Sequence, residues 1–390
     1  MIKQGHQVNF IKGYYFFIFF APGSLFTLLS VYLRDEIHLT GTEIGTVMAV
    51  GTIVSIFMSP IWGIIADYKR KPKAILTVTL LVSSFAAVIY TFSSSFVTVV
   101  LAAVLLTIPF SAVNPLSDSI TVSYSKKSKL DYGSFRLWGA LGYALAAVIM
   151  GRLVETTSFS IIFYSFILTI LLAAFLSSKL PVDSEVENKA SKKSFKNLFS
   201  YPKFSLFLLA TFFTFGPMEA NNTFFGLYIQ DSGGSVASVG LAWFLVAAFE
   251  VPFMKFSSLF IRRFGSLNVV IIAAVASSLR YILYYFSPSL VIVYLSTMIQ
   301  GFAFALCITA SLQYVIDISN KEIRNTAVTL YSTVAYGIGN CIFTLLSGWL
   351  YDKFGIYNMY FTLGMITIAG AAIFMCLRYV GVEQTSSEQF

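Results

Sequence analysis

Charge is what this chain has least of. Acidic and basic residues fill 11% of its 390 positions, against about a quarter in an average soluble domain. With 57% hydrophobic residues and a mean hydropathy of +0.78, it has too few polar side chains to cover a water-facing surface. Histidine occurs only as His6 and His38, and cysteine only as Cys307, Cys341 and Cys376, each cysteine inside an apolar run. That poverty leaves no His/Cys cluster with metal-ligand spacing and no nucleophile–base set for a membrane-embedded enzyme. A glycine-rich loop followed by Lys-Ser or Lys-Thr is also missing, as is a soluble stretch long enough to hydrolyse ATP. No metal, no cofactor and no enzymatic activity are therefore expected. No small-residue cleavage site follows the first apolar run, which reads as an uncleaved span.

Long apolar runs are what the chain does have. A membrane helix needs about twenty such residues, and runs of that order lie at 11–33, 42–66, 74–92, 96–124, 132–154 and 159–179. They resume at 203–229, 237–260, 267–287, 289–317, 323–350 and 358–380. The expected fold is an all-α polytopic membrane protein of twelve transmembrane helices in two six-helix bundles. Its divisions are 1–180, a polar cytoplasmic linker at 181–202, 203–382, and a cytoplasmic tail at 383–390. The net charge of +8 is topological: all but four of the 26 Lys and Arg fall on one side of this layout, the exceptions being Arg34, Arg152, Lys353 and the mid-span Arg280. Such asymmetry marks the cytoplasmic face, places both termini inside, and removes nucleic acid as a partner.

A charge inside a membrane helix costs a few kcal/mol or more unless paired or wetted, so each one is a site candidate. The stretch Asn114–Tyr143 carries two of them, Asp118 and Arg136. Asp118 lies roughly 9 Å inside the end of one span and Arg136 roughly 6 Å inside the start of the next, at a similar depth on antiparallel neighbours. Arginine offers five fixed donors and a carboxylate offers acceptors, which together suit a polyhydroxylated ligand. The plainer alternative is an ion pair that only holds two helices together. In the second half Glu250 and Arg280 fall roughly 15 and 20 Å into their spans, near the middle of the membrane and able to pair. Glu219 sits mid-span in Gly216-Pro217-Met218-Glu219-Ala220-Asn221-Asn222, where glycine and proline point to a kinked helix. Asn221 and Asn222 are hydrogen-bonding partners there, for ligand or for a neighbouring helix.

The loop Gly63-Ile-Ile-Ala-Asp67-Tyr-Lys69-Arg70-Lys71-Pro72-Lys73 resembles the signature loop of the major facilitator superfamily, between the second and third helices. Gly63 permits close helix approach, and Asp67 with Arg70 forms a conformational latch in this reading. The matching loop around Arg262, Arg263 and Gly265 keeps the basic pair but lacks the aspartate. Asp131-Tyr-Gly-Ser-Phe-Arg136-Leu-Trp138-Gly139, with an acid eighteen residues before the arginine, looks like the fourth and fifth helices of the lactose permease-like branch. That branch takes in oligosaccharide, nucleoside and phenylpropionate permeases.

The resemblance implies a proton-coupled symporter of a bacterial plasma membrane, a monomer with a small polar solute, a proton and lipid as its partners. It places substrate binding on Asp118, Arg136, Asn114, Trp138, Asn222 and Arg280. The histidine and glutamate of the branch's tenth helix fall near Gln300 and Ala303 and are missing, so Glu250 or Glu219 must carry the proton. Trp138 reads equally as a packing residue. Drug export and aromatic-acid uptake remain alternatives on the same fold; against export, Gly133, Gly139, Gly142 and Gly151 lack the proline of an exporter motif.

Overall fold

The computed structural model describes residues 2–128, 130–181, 202–319 and 323–387, which form helices joined by short turns. The expected linker falls, apart from its two end positions, outside the described residues. In chain order the helices are α1 (Ile2–Asp35), α2 (Gly41–Lys69), α3 (Pro72–Thr91), α4 (Phe96–Phe110), α5 (Val113–Ser128), α6 (Tyr132–Thr156) and α7 (Ser160–Ser177). After the gap come α8 (Pro202–Asp231), α9 (Val236–Phe264), α10 (Ser266–Tyr285), α11 (Leu290–Ile318), α12 (Arg324–Ser332), a π-helical turn (Thr333–Ile338) and α13 (Gly339–Ser387).

Local chemistry sets several of these ends. Thr40 caps α2: its hydroxyl accepts the Glu43 amide at 3.3 Å while the Glu43 carboxylate accepts the Thr40 amide at 2.8 Å. The far end turns at Arg70, whose φ of 49° is left-handed, and Pro72 then starts α3. Asp131 caps α6 by accepting the Gly133 amide at 3.2 Å.

The span expected at 96–124 is divided between α4 and α5. Pro115 has no N–H to give the Ser111 carbonyl four residues back, so the ladder lapses at 111–112. The span expected at 323–350 is interrupted in another way, by the π turn at Thr333–Ile338. Such turns widen a helix locally and recur at functional sites. Within α13, Gly355 at φ 80° and ψ 167° breaks the helix, a backbone geometry that suits glycine.

Among the described residues, ten helices are long and apolar enough to cross a membrane. One of them, residues 326–378, is broken at Gly355 and is long enough for two passes. The 30-residue α8 falls short of that apolar measure because Glu219, Asn221 and Asn222 interrupt it, yet at about 45 Å it is long enough to span.

The helices group into two units. The first holds α1–α7 and the opening of α9, Gly234–Ala247; the second holds α8, the rest of α9 from Ala248, and α10–α13. In the first unit Gly234–Ala247 lies on α6, where a methyl at Gly151 would come within 3.1 Å of the Gly240 Cα. α1 and α6 are also in backbone contact: a methyl on Gly142 would fall on the Phe16 carbonyl, and one on Gly23 would lie 2.7 Å from the Tyr143 carbonyl. Small residues allow this approach, and dispersion then holds the helices where lipid removes the usual hydrophobic drive. The second unit has a buried core that includes Phe207, Phe215, Leu306, Cys307, Tyr331 and Phe374. The three cysteines are unpaired, and of them only Cys307 is buried.

Candidate substrate site

In the first unit, α1, α5 and α6 meet at Asp118. Arg136 reaches it from α6, with Nη1 at 3.3 Å from Oδ1 and 3.5 Å from Oδ2. Tyr132, one turn earlier on α6, donates its hydroxyl to Oδ1 at 2.8 Å, and Tyr15 of α1 donates to the same oxygen at 2.9 Å. The pair expected from the sequence is therefore formed, with side-chain exposures of 44% for Arg136 and 37% for Asp118. At that exposure an ion pair contributes about 1 kcal/mol or less to stability, so holding helices together does not account for it well.

Aromatic faces fix the arginine. Its guanidinium lies 4.6 Å over the Phe19 ring, and Phe19 stacks on Tyr15 at 6.2 Å with the planes 10° apart. Gly139 makes room, since a methyl there would sit 2.7 Å from the Phe19 ring. Next to Asp118, Ser117 shares a 2.6 Å hydrogen bond with buried Tyr14, so α1 is tied to α5 at two successive residues.

Asn114 and Trp138 are not drawn into this network. Asn114 is exposed one turn before Asp118 and has no hydrogen-bond partner among the described residues. Trp138 is two residues from Arg136 and so roughly opposite it on the helix; its ring lies 5.8 Å below the Lys12 ammonium.

In the second unit, Arg280 is 2% exposed. Its hydrogen bonds among the described residues go to neutral groups: Nη2 donates to Gln300 at 2.6 Å and Nε to Ser296 at 3.4 Å. Ring faces supply the rest, Tyr284 at 4.7 Å and Phe225 at 5.1 Å. Cation–π contact of this kind stabilises a desolvated guanidinium.

Glu219 accepts from Asn222 at 3.3 Å, and Glu250 is near enough to act on it through its charge. Asn221 is buried and accepts from Tyr360 at 3.1 Å, a bond between helices. Glu250 lies where α9 crosses α11, for a methyl on Gly301 would sit 2.7 Å from its backbone nitrogen. Gly216-Pro217 lies within α8 beside the π turn, where a methyl on Gly339 would come within 3.3 Å of the Gly216 Cα. The hydroxyls of Tyr331 and Tyr336, 3.4 Å apart across that turn, lie within range of the Glu219 charge.

The loop between α2 and α3 makes few contacts in this conformation. A methyl on Gly63 would meet nothing within 4 Å, so no helix approaches it closely. The Asp67 carboxylate and Arg70 guanidinium have no hydrogen bond or ion pair among the described residues; the Asp67 carbonyl accepts the Arg70 amide at 3.3 Å.

Tyr15, Tyr132, Phe19 and Ser296 were not singled out from the sequence, and Gln300 only as the position where the branch's histidine is missing. Tyr132 sits inside the quoted motif, but nothing in the aromatic run Tyr14-Tyr15-Phe16-Phe17 distinguishes Tyr15.

Comparison with known proteins matches the MFS_1-like family over residues 9–362. The chain belongs to this family of major facilitator transporters. It is a multi-pass membrane transporter and not an enzyme. It is 38% identical to the maltose permease of Geobacillus stearothermophilus over 96% of this chain and 95% of that one. It is 36% identical to the uncharacterized transporter YwbF of Bacillus subtilis (strain 168), over 94% and 92% of the two chains. Its fold matches the crystal structure of the nucleoside transporter NupG with a TM-score of 0.82 at 19% identity, covering 95% of this chain and 98% of that one.

Proposed function

We propose that this transporter imports a small neutral polyol, with a disaccharide of the maltose class first, together with a proton and by alternating access. Asp118 with Arg136 is the observation that carries the reading. A carboxylate and a guanidinium in contact, both partly exposed and the guanidinium lying over an aromatic ring, offer acceptors and donors at once to sugar hydroxyls. The 38% identity to a maltose permease over nearly the whole chain supports the substrate class.

Asn114, Trp138, Asn222 and Arg280 complete the candidate substrate set. Glu219 and Glu250 serve the proton, because two carboxyl groups within range of each other in a membrane interior carry two charges only at high cost. Arg280, held by neutral Gln300 and Ser296, is the nearby cation available to whichever of them is ionised. Gly63, Asp67 and Arg70 act as a latch in other states of the cycle. Two bundles either side of a cytoplasmic linker at 181–202, both termini inside, a monomer and the plasma membrane complete the proposal.

The test is uptake into proteoliposomes of maltose, sucrose, a nucleoside and 3-phenylpropionate, each with and without an inward proton gradient. Gradient-driven accumulation of a sugar supports the reading. Accumulation of 3-phenylpropionate alone replaces the substrate class, and gradient-driven efflux replaces import with export.

A further inference from the structure

Asp118 is used unevenly. Its Oδ1 accepts from the Tyr15 hydroxyl at 2.9 Å, the Tyr132 hydroxyl at 2.8 Å and Arg136 Nη1 at 3.3 Å, whereas Oδ2 has one long contact, Arg136 Nη1 at 3.5 Å. A carboxylate oxygen has about two good acceptor directions. Oδ1 is therefore filled by the protein itself, and Oδ2 retains its capacity. Arg136 is used just as unevenly, since Nη1 alone meets Asp118 and the Nε and Nη2 groups donate to no described residue. One acceptor oxygen and an arginine with uncommitted N–H donors thus belong to one ion pair.

The two tyrosines come from different helices, and each is fixed independently. Tyr15 is fully buried and stacked on Phe19, the ring that also carries Arg136. Tyr132 stands edge-on to Tyr15, with ring centroids 6.4 Å apart. A packing role alone needs only the rings. That both hydroxyls end on the same carboxylate oxygen is a polar arrangement, and a phenol–carboxylate bond is among the stronger hydrogen bonds in a protein.

We propose that Tyr15 and Tyr132 are specificity-determining positioning residues of the substrate site. By occupying Oδ1 they fix the carboxylate so that Oδ2 stays beside the uncommitted N–H edge of Arg136. Oδ2 accepts from one ligand hydroxyl while the free N–H groups of Arg136 donate to its neighbour, which selects a neutral vicinal diol. An anionic ligand, such as an aromatic acid, gains from Arg136 but meets the charge of Oδ2. The inference rests on the reading of Asp118 and Arg136 as the sugar-binding pair.

The experiment is a double-mutant cycle in proteoliposomes, with maltose and a maltose analogue lacking one hydroxyl as probes. Tyr15→Phe and Tyr132→Phe are each placed in the native background and in Asp118→Asn. Each phenylalanine is expected to raise the maltose KM about tenfold, the loss of one charge-assisted hydrogen bond, with the maximal rate little changed. It should also shrink the penalty for the missing hydroxyl. In the Asp118→Asn background neither phenylalanine should add a further loss, because the tyrosines act through that carboxylate. Equal losses in both backgrounds would mark them as packing residues and overturn the proposal.

A second measurement needs no ligand. The infrared carboxylate stretch of Asp118, assigned by its disappearance in Asp118→Asn, should shift in each tyrosine variant; an unmoved band also overturns the proposal. If the native protein takes up no sugar, the proposed function fails, and the infrared band still decides whether the tyrosines hold Asp118.

Discussion

Replacing Arg136 with lysine keeps the positive charge and removes the planar fork. In the native protein Nη1 lies 3.3 and 3.5 Å from the two oxygens of Asp118, and the guanidinium lies 4.6 Å over Phe19. A lysine ammonium can still meet Asp118, and because that pair is over a third exposed, its loss or gain moves stability by about 1 kcal/mol or less. Fold and thermal midpoint should therefore survive. Ligand recognition should not. Lysine presents its donors at one point, so it cannot serve Asp118 and an adjacent ligand hydroxyl together. One or two lost charge-assisted bonds, at about 1.5 kcal/mol each, predict a maltose KM raised roughly ten- to hundredfold. The assay is saturation of maltose counterflow in proteoliposomes, beside a thermal unfolding curve of the same sample in detergent. A KM within about twofold of native, with intact fold, would remove Arg136 from the substrate site and leave the pair structural.

Other perturbations read other parts of the account. Glu250→Gln or Glu219→Gln should abolish accumulation driven by a proton gradient while sparing exchange of labelled for unlabelled sugar; a variant that still accumulates does not carry the proton. Gly142→Ala forces a methyl onto the Phe16 carbonyl and should destabilise the protein by about 1–3 kcal/mol, read as a lower thermal midpoint, whereas an unchanged midpoint would mean the α1–α6 contact is looser than described. Gly63→Ala meets open space and should move stability by less than about 0.5 kcal/mol. If Gly63→Ala slows transport nonetheless, close approach at Gly63 occurs in another state of the cycle.

Much of this architecture is legible in the sequence because a membrane leaves so few choices. Apolar runs of the right length must be helices, and the one-sided distribution of Lys and Arg orders them. The pairing of Asp118 with Arg136 was readable for the same reason, since two charges at equal depth on adjacent antiparallel helices have little else to meet. The interruptions were harder. Pro115 and Pro109 flank the break between α4 and α5, but proline is tolerated in membrane helices, so their presence does not announce a break. The π turn at Thr333–Ile338 has no proline at all and becomes intelligible only where Gly339 meets Gly216.

Partner choice was the least legible feature. Arg280 bonds to Gln300 and lies against the faces of Tyr284 and Phe225. Depth says nothing about rotation around the helix axis, and aromatic faces carry no charge for sequence reading to find. Tyr15 was hidden likewise, as one ring in a run of rings, until α1 and α5 were placed side by side.

Maltose accumulation by the native protein in sealed proteoliposomes, with an inward proton gradient imposed and then collapsed by a protonophore, addresses the central claim most directly. The account predicts saturable uptake above the equilibrium level that ends when the gradient is collapsed. Uptake that ignores the gradient, or that never exceeds equilibrium, would contradict it.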